Sequence, residues 1–375
     1  MDEQEIFNLM VLARIGSFHL ATMRQLINIM GSATAVMEHR DNIRGLVPEC
    51  PPRIAESLRA SEEAMKRAET EMEYNRANGI KELCLHGKDY PRRLRECDDA
   101  PLILFYKGTA DLNQRHIICM IGTRHCTIYG QDLIRRFMAD LKVMCPDVLV
   151  ISGLAYGIDI NAHRRALENG LDTVAVLAHG MDYLYPPRHK GTALKMIEHG
   201  GLVTEYFTMT NADKVNFVRR NRLVAGMADA CILVESASKG GGLITARLAR
   251  DYNRDVFAFP GRADDRFSQG CNNLIRDNVA GLISNAEDFV KAMSWNGDAE
   301  LAALRNEGIQ RQIFPQLSDE EKMIVDCLKK DNDLNINTLL VRTNMPINAL
   351  TATLFGLEMK GVVKALAGGA YHLLD

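Results

Sequence analysis

A single tryptophan in 375 residues means that large aromatic stacking platforms will be few. None of the nine cysteines forms a C-x-x-C pair, which argues against both a zinc site and a disulfide framework. Cys119 and Cys231 fall inside apolar runs, where a reduced thiol behaves as a small hydrophobe. There is no basic excess. With a formal net charge of −3, any contact with nucleic acid must come from a local basic patch. No apolar run reaches the length of about 18 residues that a membrane span needs. The start, MDEQEIFNLM, is acidic and lacks the basic region and apolar core of a signal peptide. The expected compartment is the cytoplasm, without membrane contact.

What is present is ordinary globular material. Apolar residues make up 47% and charged residues 25%, enough for a real core, and the length suggests about two or three domains. Residues 1–80 read as an N-terminal helical domain. A second helix is expected over 20–30, and the charged run 53–76 carries Glu62–Lys66 and Glu63–Arg67 at the favourable i,i+4 spacing, a pattern read as a solvated helix face. Gly16-Ser17-Phe18 between two helices suggests a unit of the helix-hairpin-helix or sterile-alpha-motif kind. The missing second glycine favours a plain helical bundle.

Residues 81–295 alternate apolar strands with amphipathic helices, the mark of an α/β domain with a parallel sheet covered on both faces. Strands are expected at 117–121, 148–152, 173–177, 202–205, 230–235 and 256–259. Helices are expected at 130–143, 158–168, 190–199, 217–228 and 243–252. The extended run 101–107 looks like an extra leading strand. Residues 296–315 loosen into a polar linker, and 316–375 read as a winged helix. There, Ser318-Asp319-Glu320-Glu321 is a capping box opening a helix to Lys330, followed by helices over 336–343 and 348–360 and a hairpin around Ala367-Gly368-Gly369.

Ligands of open α/β sheets lie outside the carboxyl ends of the strands, so the segments after each strand carry the chemistry. They are Gly122-Thr123-Arg124, then Ser152-Gly153 with Gly157, then His179-Gly180, then Lys214 to Arg222, then Gly240-Gly241-Gly242 with Thr245, then Pro260-Gly261-Arg262. Each glycine turn alone is ambiguous, but together they put glycines, hydroxyls and cations on one edge, as binding of a chain of phosphates requires. Asp159 and His163 share a helix face at i,i+4 spacing and form a candidate acid–base or metal pair. With no third ligand in sight, a buried, hydrogen-bonded histidine is the favoured reading. Ser152 lacks the G-x-S-x-G setting of a nucleophile and reads as a phosphate-facing hydroxyl; Glu205 and Glu235 close their strands, where either could be an isolated acid, and no paired carboxylates are visible.

The segments MIGTRHCTIYG, SGLAYGIDINAHRRAL, TVAVLAHGMDYLYPP, NFVRRNRLVAGMADACILVESASKGGGLITARLA and VFAFPGR, with GCNNLIRDNVAGLI, together resemble the DNA-processing protein A (DprA/Smf) family over about 81–289. The tail GLEMKGVVKALAGGAYHLL resembles that family's winged helix. The resemblance implies an extended Rossmann-like fold that binds single-stranded DNA, usually as a homodimer. It also implies help in loading RecA recombinase during natural transformation, with no cofactor and no catalysis. Residue by residue, the family's G-S-R becomes Gly122, Thr123 and Arg124; its lysine, phenylalanine and R-N-R run fall on Lys214, Phe217, Arg220, Asn221 and Arg222; and its S-G-S-L-[IV]-T-A segment becomes Gly240-Gly241-Gly242-Leu243-Ile244-Thr245-Ala246. Both serines of that segment are lost, the usual proline after the phenylalanine is Val218, and Ala178 replaces a glycine. These departures bear on loop detail rather than the fold.

Two rivals remain. One is a nucleotide-hydrolysing enzyme of the phosphoribohydrolase kind, which carries P-G-G-x-G-T-x-x-E. The residue three after Thr245 is Leu248 here, between Arg247 and Arg250, so the catalytic acid is absent. The other is a protein-binding scaffold, which the collection of arginines and glycines along one edge argues against.

Overall fold

A computed structural model describes residues 2–16, 19–295, 317–366 and 369–373. The expected linker and the 17–18 part of the suggested hairpin lie outside these residues. The chain divides into two compact units, Met1–Ser284 and Asn285–Asp375.

The first unit is built on nine strands: β1 (Lys81–Cys84), β2 (Ile103–Gly108), β3 (Ile117–Ile121), β4 (Leu149–Ser152), β5 (Thr173–Val176), β6 (Gly200–Thr204), β7 (Ala230–Leu233), β8 (Asp255–Ala258) and β9 (Gly281–Leu282). Their order is β1-β2-β6-β5-β4-β3-β7-β8-β9. The seven from β6 to β9 pair in parallel, whereas β2 pairs antiparallel with both β6 and β1. The expected parallel sheet therefore has an antiparallel margin. Strands β3 to β7 are buried throughout, as strands covered on both faces must be, which accounts for their unbroken apolar sequence. Predicted strands and helices agree with these elements to within three residues.

The chain runs from β3 outward through β4, β5 and β6, then returns to the other side of β3 for β7, β8 and β9. The order thus reverses between β3 and β7, the switch point at which open α/β sheets take ligands in a crevice outside the carboxyl edge, and the two loops leaving those strands are bonded to each other there.

The N-terminal helices do not stand apart from this sheet. Leu9, Leu12, Met23 and Leu26 share one continuous core with Ile103, Phe105 and Cys231, so residue 80 is not a break in packing. Instead of one amphipathic run there are two helices, Pro52–Arg59 and Glu62–Asn78, with Pro52 at the helical start where its missing N–H costs nothing. The second is not simply a solvated face. Arg67 turns to Glu71 at 2.7 Å rather than to Glu63, and Glu71 is buried. The Glu71 carboxylate accepts from the Thr208 backbone N–H at 2.9 Å and from the Thr208 hydroxyl at 2.6 Å, while Arg67 donates to the Thr208 carbonyl at 2.8 Å and lies 5.4 Å from the Phe207 ring. A charged helix is thereby fastened to the loop that follows β6.

In the second unit, helix Ala286–Ala292 carries Phe289, whose ring meets Trp295 edge-on at 5.2 Å. Helices Asp319–Lys330, Ile336–Thr343 and Ile347–Met359 pack around Ile324, Leu328, Leu339, Leu350 and Leu354. The capping box forms as expected: Glu321 N–H donates to Ser318 Oγ at 3.2 Å and Ser318 N–H to Glu321 Oε2 at 2.9 Å. The hairpin strands β11 (Val363–Leu366) and β12 (Ala370–Leu373) are joined by β10 (Leu334–Asn335), completing a winged helix-turn-helix.

Replacing Glu71 with alanine leaves the Arg67 charge and the Thr208 N–H without their acceptor, and should cost about 3–5 kcal/mol. Urea unfolding of Glu71→Ala against wild type and Glu71→Gln measures this; a loss below about 1 kcal/mol would show that the fastening is superficial.

Candidate nucleic-acid interface

The crevice is floored by the turn after β3. Thr123 N–H donates to the Glu235 carbonyl at 2.8 Å, and the Thr123 carbonyl accepts from Ile158 N–H at 3.1 Å. The Thr123 hydroxyl accepts from His125 N–H at 3.1 Å, so it shapes its own turn. The buried Glu235 carboxylate accepts from Thr127 N–H at 2.9 Å and holds the far end of this turn; it is not an isolated acid. Gly157 sits against the turn with φ of +78°, and a Cβ there would collide with the Thr123 carbonyl. Gly122 is packed between Ile158 and the Glu235 carbonyl, a place that also excludes a side chain.

Helices entering the edge differ in how their N-termini are closed. Thr127 caps helix Ile128–Met144, and Asp213 caps helix Lys214–Gly226. Helix Ile158–Glu168 begins at Gly157 without a side-chain cap, but Asp159 in its first turn supplies a carboxylate. Helix Gly242–Asp251 has neither a side-chain cap nor an acid in its first turn. Its approach is residues 240–242, with Gly240 half-buried, Gly241 exposed to open space and Gly242 buried. Thr245 is buried one turn in, and Lys239 is exposed just before the glycines. The N–H groups of Gly240, Leu243 and Ile244 turn back to the carbonyls of Ala237, Gly240 and Gly241 at 3.0, 3.2 and 3.1 Å, which leaves those of Gly241 and Gly242, beside an exposed cation, to meet an anion.

The expected R-N-R run is placed differently. Arg220 is buried, and its Nη1 donates to the Gly153 carbonyl at 2.8 Å and to the Val176 carbonyl. Asp159 faces the same point: its Oδ2 accepts from Gly153 N–H at 3.2 Å, and a Cβ on Gly153 would meet both Arg220 and Asp159. Burial lowers Arg220 to about 10, opposed by Asp159, so it stays charged near neutrality. Burial raises Asp159, with Arg220 and the N–H groups of Ala155 and Gly153 pulling back. Arg222 is tied to Glu205 and donates to the Asp99 carbonyl at 2.7 Å. Ser152 is buried and donates to the Met120 carbonyl at 2.6 Å, and Gly153 is buried as well. Thus Ser152, Gly153, Arg220 and Arg222, all expected on the edge surface, lie in its support, and Asn221 is half-buried between the two arginines. A charge pattern does not show which side of a helix turns inward, so their depth was not visible in the sequence.

What reaches the surface is Arg124, exposed, and Lys214, exposed, with Phe217 half-buried. The Arg124 guanidinium lies 5.1 Å from the Phe217 ring centroid and that of Arg220 lies 5.7 Å from it. Tyr185, 41% exposed, stands 5.8 Å from the same ring. Tyr185 escaped the sequence reading, as did the exposed Tyr156, whose ring meets His189 at 4.9 Å. Their positions just after β4 and β5 were the available signal.

The candidate acid–base pair is instead a buried, hydrogen-bonded histidine, the arrangement its sequence setting favours. His163 is fully buried, with Nδ1 2.7 Å from Thr173 Oγ1, and burial depresses it to about 3. Among the described residues, no group of three His, Cys, Asp or Glu side chains is arranged to hold a metal ion. Also among them, no helix is long and apolar enough to cross a membrane.

A Rossmann-like sheet whose crevice presents an uncapped helix N-terminus, exposed cations and an aromatic ring defines a protein built to hold phosphate-bearing ligands. The family model described as DNA recombination-mediator protein A matches residues 81–294, and the DprA winged helix domain matches 312–369. The chain belongs to the DNA recombination-mediator protein A (DprA/Smf) family. It is 34% identical over 278 residues to a putative DNA processing protein DprA of Mycobacterium tuberculosis, covering 74% of this chain and 70% of that one. The structure of DNA processing protein A from Streptococcus pneumoniae superposes with a TM-score of 0.66 at 28% identity, over 78% of this chain and 98% of that one. That of DNA processing protein A from Helicobacter pylori, solved for its single-stranded DNA binding mode, gives 0.52 at 26% identity, over 58% and 96%.

The two arginines should separate cleanly in stability. Arg220→Ala removes a buried charge facing Asp159 and should cost roughly 3–5 kcal/mol. Arg124→Ala, at the surface, should stay within about 0.5 kcal/mol of wild type. Equal effects in thermal unfolding would contradict the assignment of one to support and the other to surface.

Proposed function

We propose that this DNA-processing family member binds single-stranded DNA along the carboxyl edge of its sheet, holding the strand without cutting it. The observation that carries this reading is the N-terminus of helix Gly242–Asp251, which no side chain caps, together with exposed Arg124 and Lys214 and with Phe217 on the same edge. In it, phosphates sit against the N–H groups of Gly241 and Gly242, Arg124 and Lys214 neutralise the backbone, and Phe217 stacks on a base. Gly122, Thr123 and Gly157 shape the turn that aims Arg124. Ser152, Gly153, Arg220, Asn221, Arg222 and Thr245 hold the edge in place from beneath.

Backbone contacts dominate this arrangement, so sequence preference is weak. The absence of catalysis is part of the same proposal. Leu248 occupies the place of the acid that a phosphoribohydrolase needs, and Asp159, Glu205 and Glu235 are each engaged in structural bonds. Family membership extends the reading to a cytoplasmic homodimer that helps load RecA recombinase in natural transformation. The nine free thiols are consistent with a reducing compartment.

The winged helix supports a different reading from duplex recognition. Helix Ile347–Met359 contains no lysine or arginine and exposes Ile347, Phe355 and Met359 in one stripe. A helix that reads a major groove brings polar or basic side chains to the bases. This one is suited to contact with protein.

Two measurements test these statements. If four to six phosphates are neutralised, log K for a labelled oligonucleotide should fall with log salt at a slope of roughly −3 to −4, and Arg124→Ala should make it shallower by about 0.7. A flat salt response would remove the phosphate groove. Deleting residues 316–375 should leave single-strand affinity within about tenfold of the full chain, 1.4 kcal/mol. A larger loss would assign DNA contact to the winged helix.

A further inference from the structure

The turn after β3 sends two adjacent side chains to two different aromatic rings. Arg124 reaches Phe217, on the helix that follows β6. His125 reaches Phe267, on the loop after β8, with ring centroids 6.3 Å apart and planes tilted by 31°. In the sheet, β5 and β6 lie on one side of β3 while β7 and β8 lie on the other. The two rings therefore belong to opposite flanks of the crevice, with the glycine approach of residues 240–242 leaving β7 between β3 and β8.

The Phe267 loop is built rather than loose. The Phe267 carbonyl accepts from Ser236 N–H at 2.6 Å, and Gly270 N–H donates to the Ser236 carbonyl at 2.8 Å. The Asp265 carboxylate accepts from Ser268 Oγ at 2.6 Å and from Phe267 N–H at 3.4 Å. Asn272 closes the loop on itself, accepting from Gly261 N–H at 3.1 Å and donating to its carbonyl at 3.0 Å. Held this way, Phe267 is half-buried, with the exposed Arg266 guanidinium 5.8 Å from its ring and the exposed His125 beside it. This is the same combination as at Phe217: a fixed ring, part open, with a surface cation against it.

We propose that Phe267, with His125 and Arg266, forms a second base-stacking subsite, so that a single strand crosses the edge from Phe217 over the residue 123–125 turn to Phe267. The subsite takes an unpaired nucleobase by its face, and Arg266 adds attraction for the neighbouring phosphate. This rests on the single-strand reading above and adds to it a second anchor and a path. Stacking tolerates any base, so the second anchor lengthens the bound segment without adding sequence preference. Two fixed rings on opposite flanks also set a minimum length: an oligonucleotide too short to reach both would use only one.

The test is a positional scan with oligothymidylate carrying one 2-aminopurine at successive positions, read by fluorescence quenching and by anisotropy on the full-length protein. Wild type should show two quenched positions separated along the strand. Phe267→Leu, which keeps the buried volume but lacks the ring, should lose one of them and weaken binding by about five- to 150-fold, the range for losing one stacked base. Phe217→Leu should lose the other, and Phe267→Trp should restore the first. Thermal unfolding of each variant reports whether the fold is kept, and the retained quenching position in Phe267→Leu serves as an internal check of folding. If Phe267→Leu leaves both positions quenched and affinity unchanged while Phe217→Leu abolishes quenching, the second subsite is wrong and the first reading stands. If wild type neither binds nor quenches at low salt, the single-strand reading itself fails.

Discussion

A buried guanidinium organises the carboxyl edge. Arg220 projects from the helix after β6 toward the ends of β4 and β5, donating to Gly153 and Val176 carbonyls that the strands can no longer satisfy. It can remain charged inside because Asp159 faces it, and Asp159 in turn is steadied by the Gly153 and Ala155 N–H groups. Removing any one member leaves a desolvated charge or an unpaired backbone group, each costly in a low-dielectric interior. Phe217 lies one helical turn before Arg220 and rests against it, so the position of the exposed ring is inherited from the buried network.

The edge divides its cations by depth. Arg220 and Arg222 are enclosed and act on protein carbonyls and carboxylates, while Arg124, Lys214, Lys239 and Arg266 face outward. A guanidinium suits both tasks because its planar fork can satisfy several acceptors inside and still bind phosphate oxygens outside. Arg124 and Lys239 follow β3 and β7, the strands between which the order reverses, and they are exposed there in a chain that as a whole is not basic.

Much of this was legible in the sequence. Strand and helix order followed from apolar runs alternating with amphipathic stretches, and the winged helix followed from its capping box and hairpin glycines. The family resemblance rested on long, ordered segments. Pairing direction was not legible: nothing in ILFYKG tells that β2 runs antiparallel to β6, because that depends on where the chain re-enters the sheet. Inward and outward charges were also indistinguishable. R-R-N-R reads as a basic patch, yet its facing depends on helix phase against a sheet that is assembled from distant segments. Glu71, similarly, looks like any surface glutamate until Thr208, remote in sequence, is brought to it. Phe267 and Tyr185 were overlooked because a ring in a loop carries no periodicity.

The bonding of Glu71 and Arg67 to the loop after β6 bears on how this protein can be taken apart. A domain shed at a linker keeps its own core, but the helices before β1 share theirs with the sheet, and their charged helix shields the Phe207 ring and the Thr208 backbone. A fragment starting at residue 81 would carry a raw apolar wound along the outer strands, and its aggregation could be mistaken for a lost function. The N-terminal helices are thus a wall of the house rather than an annex. A change in that wall has to be made in step with the sheet behind it.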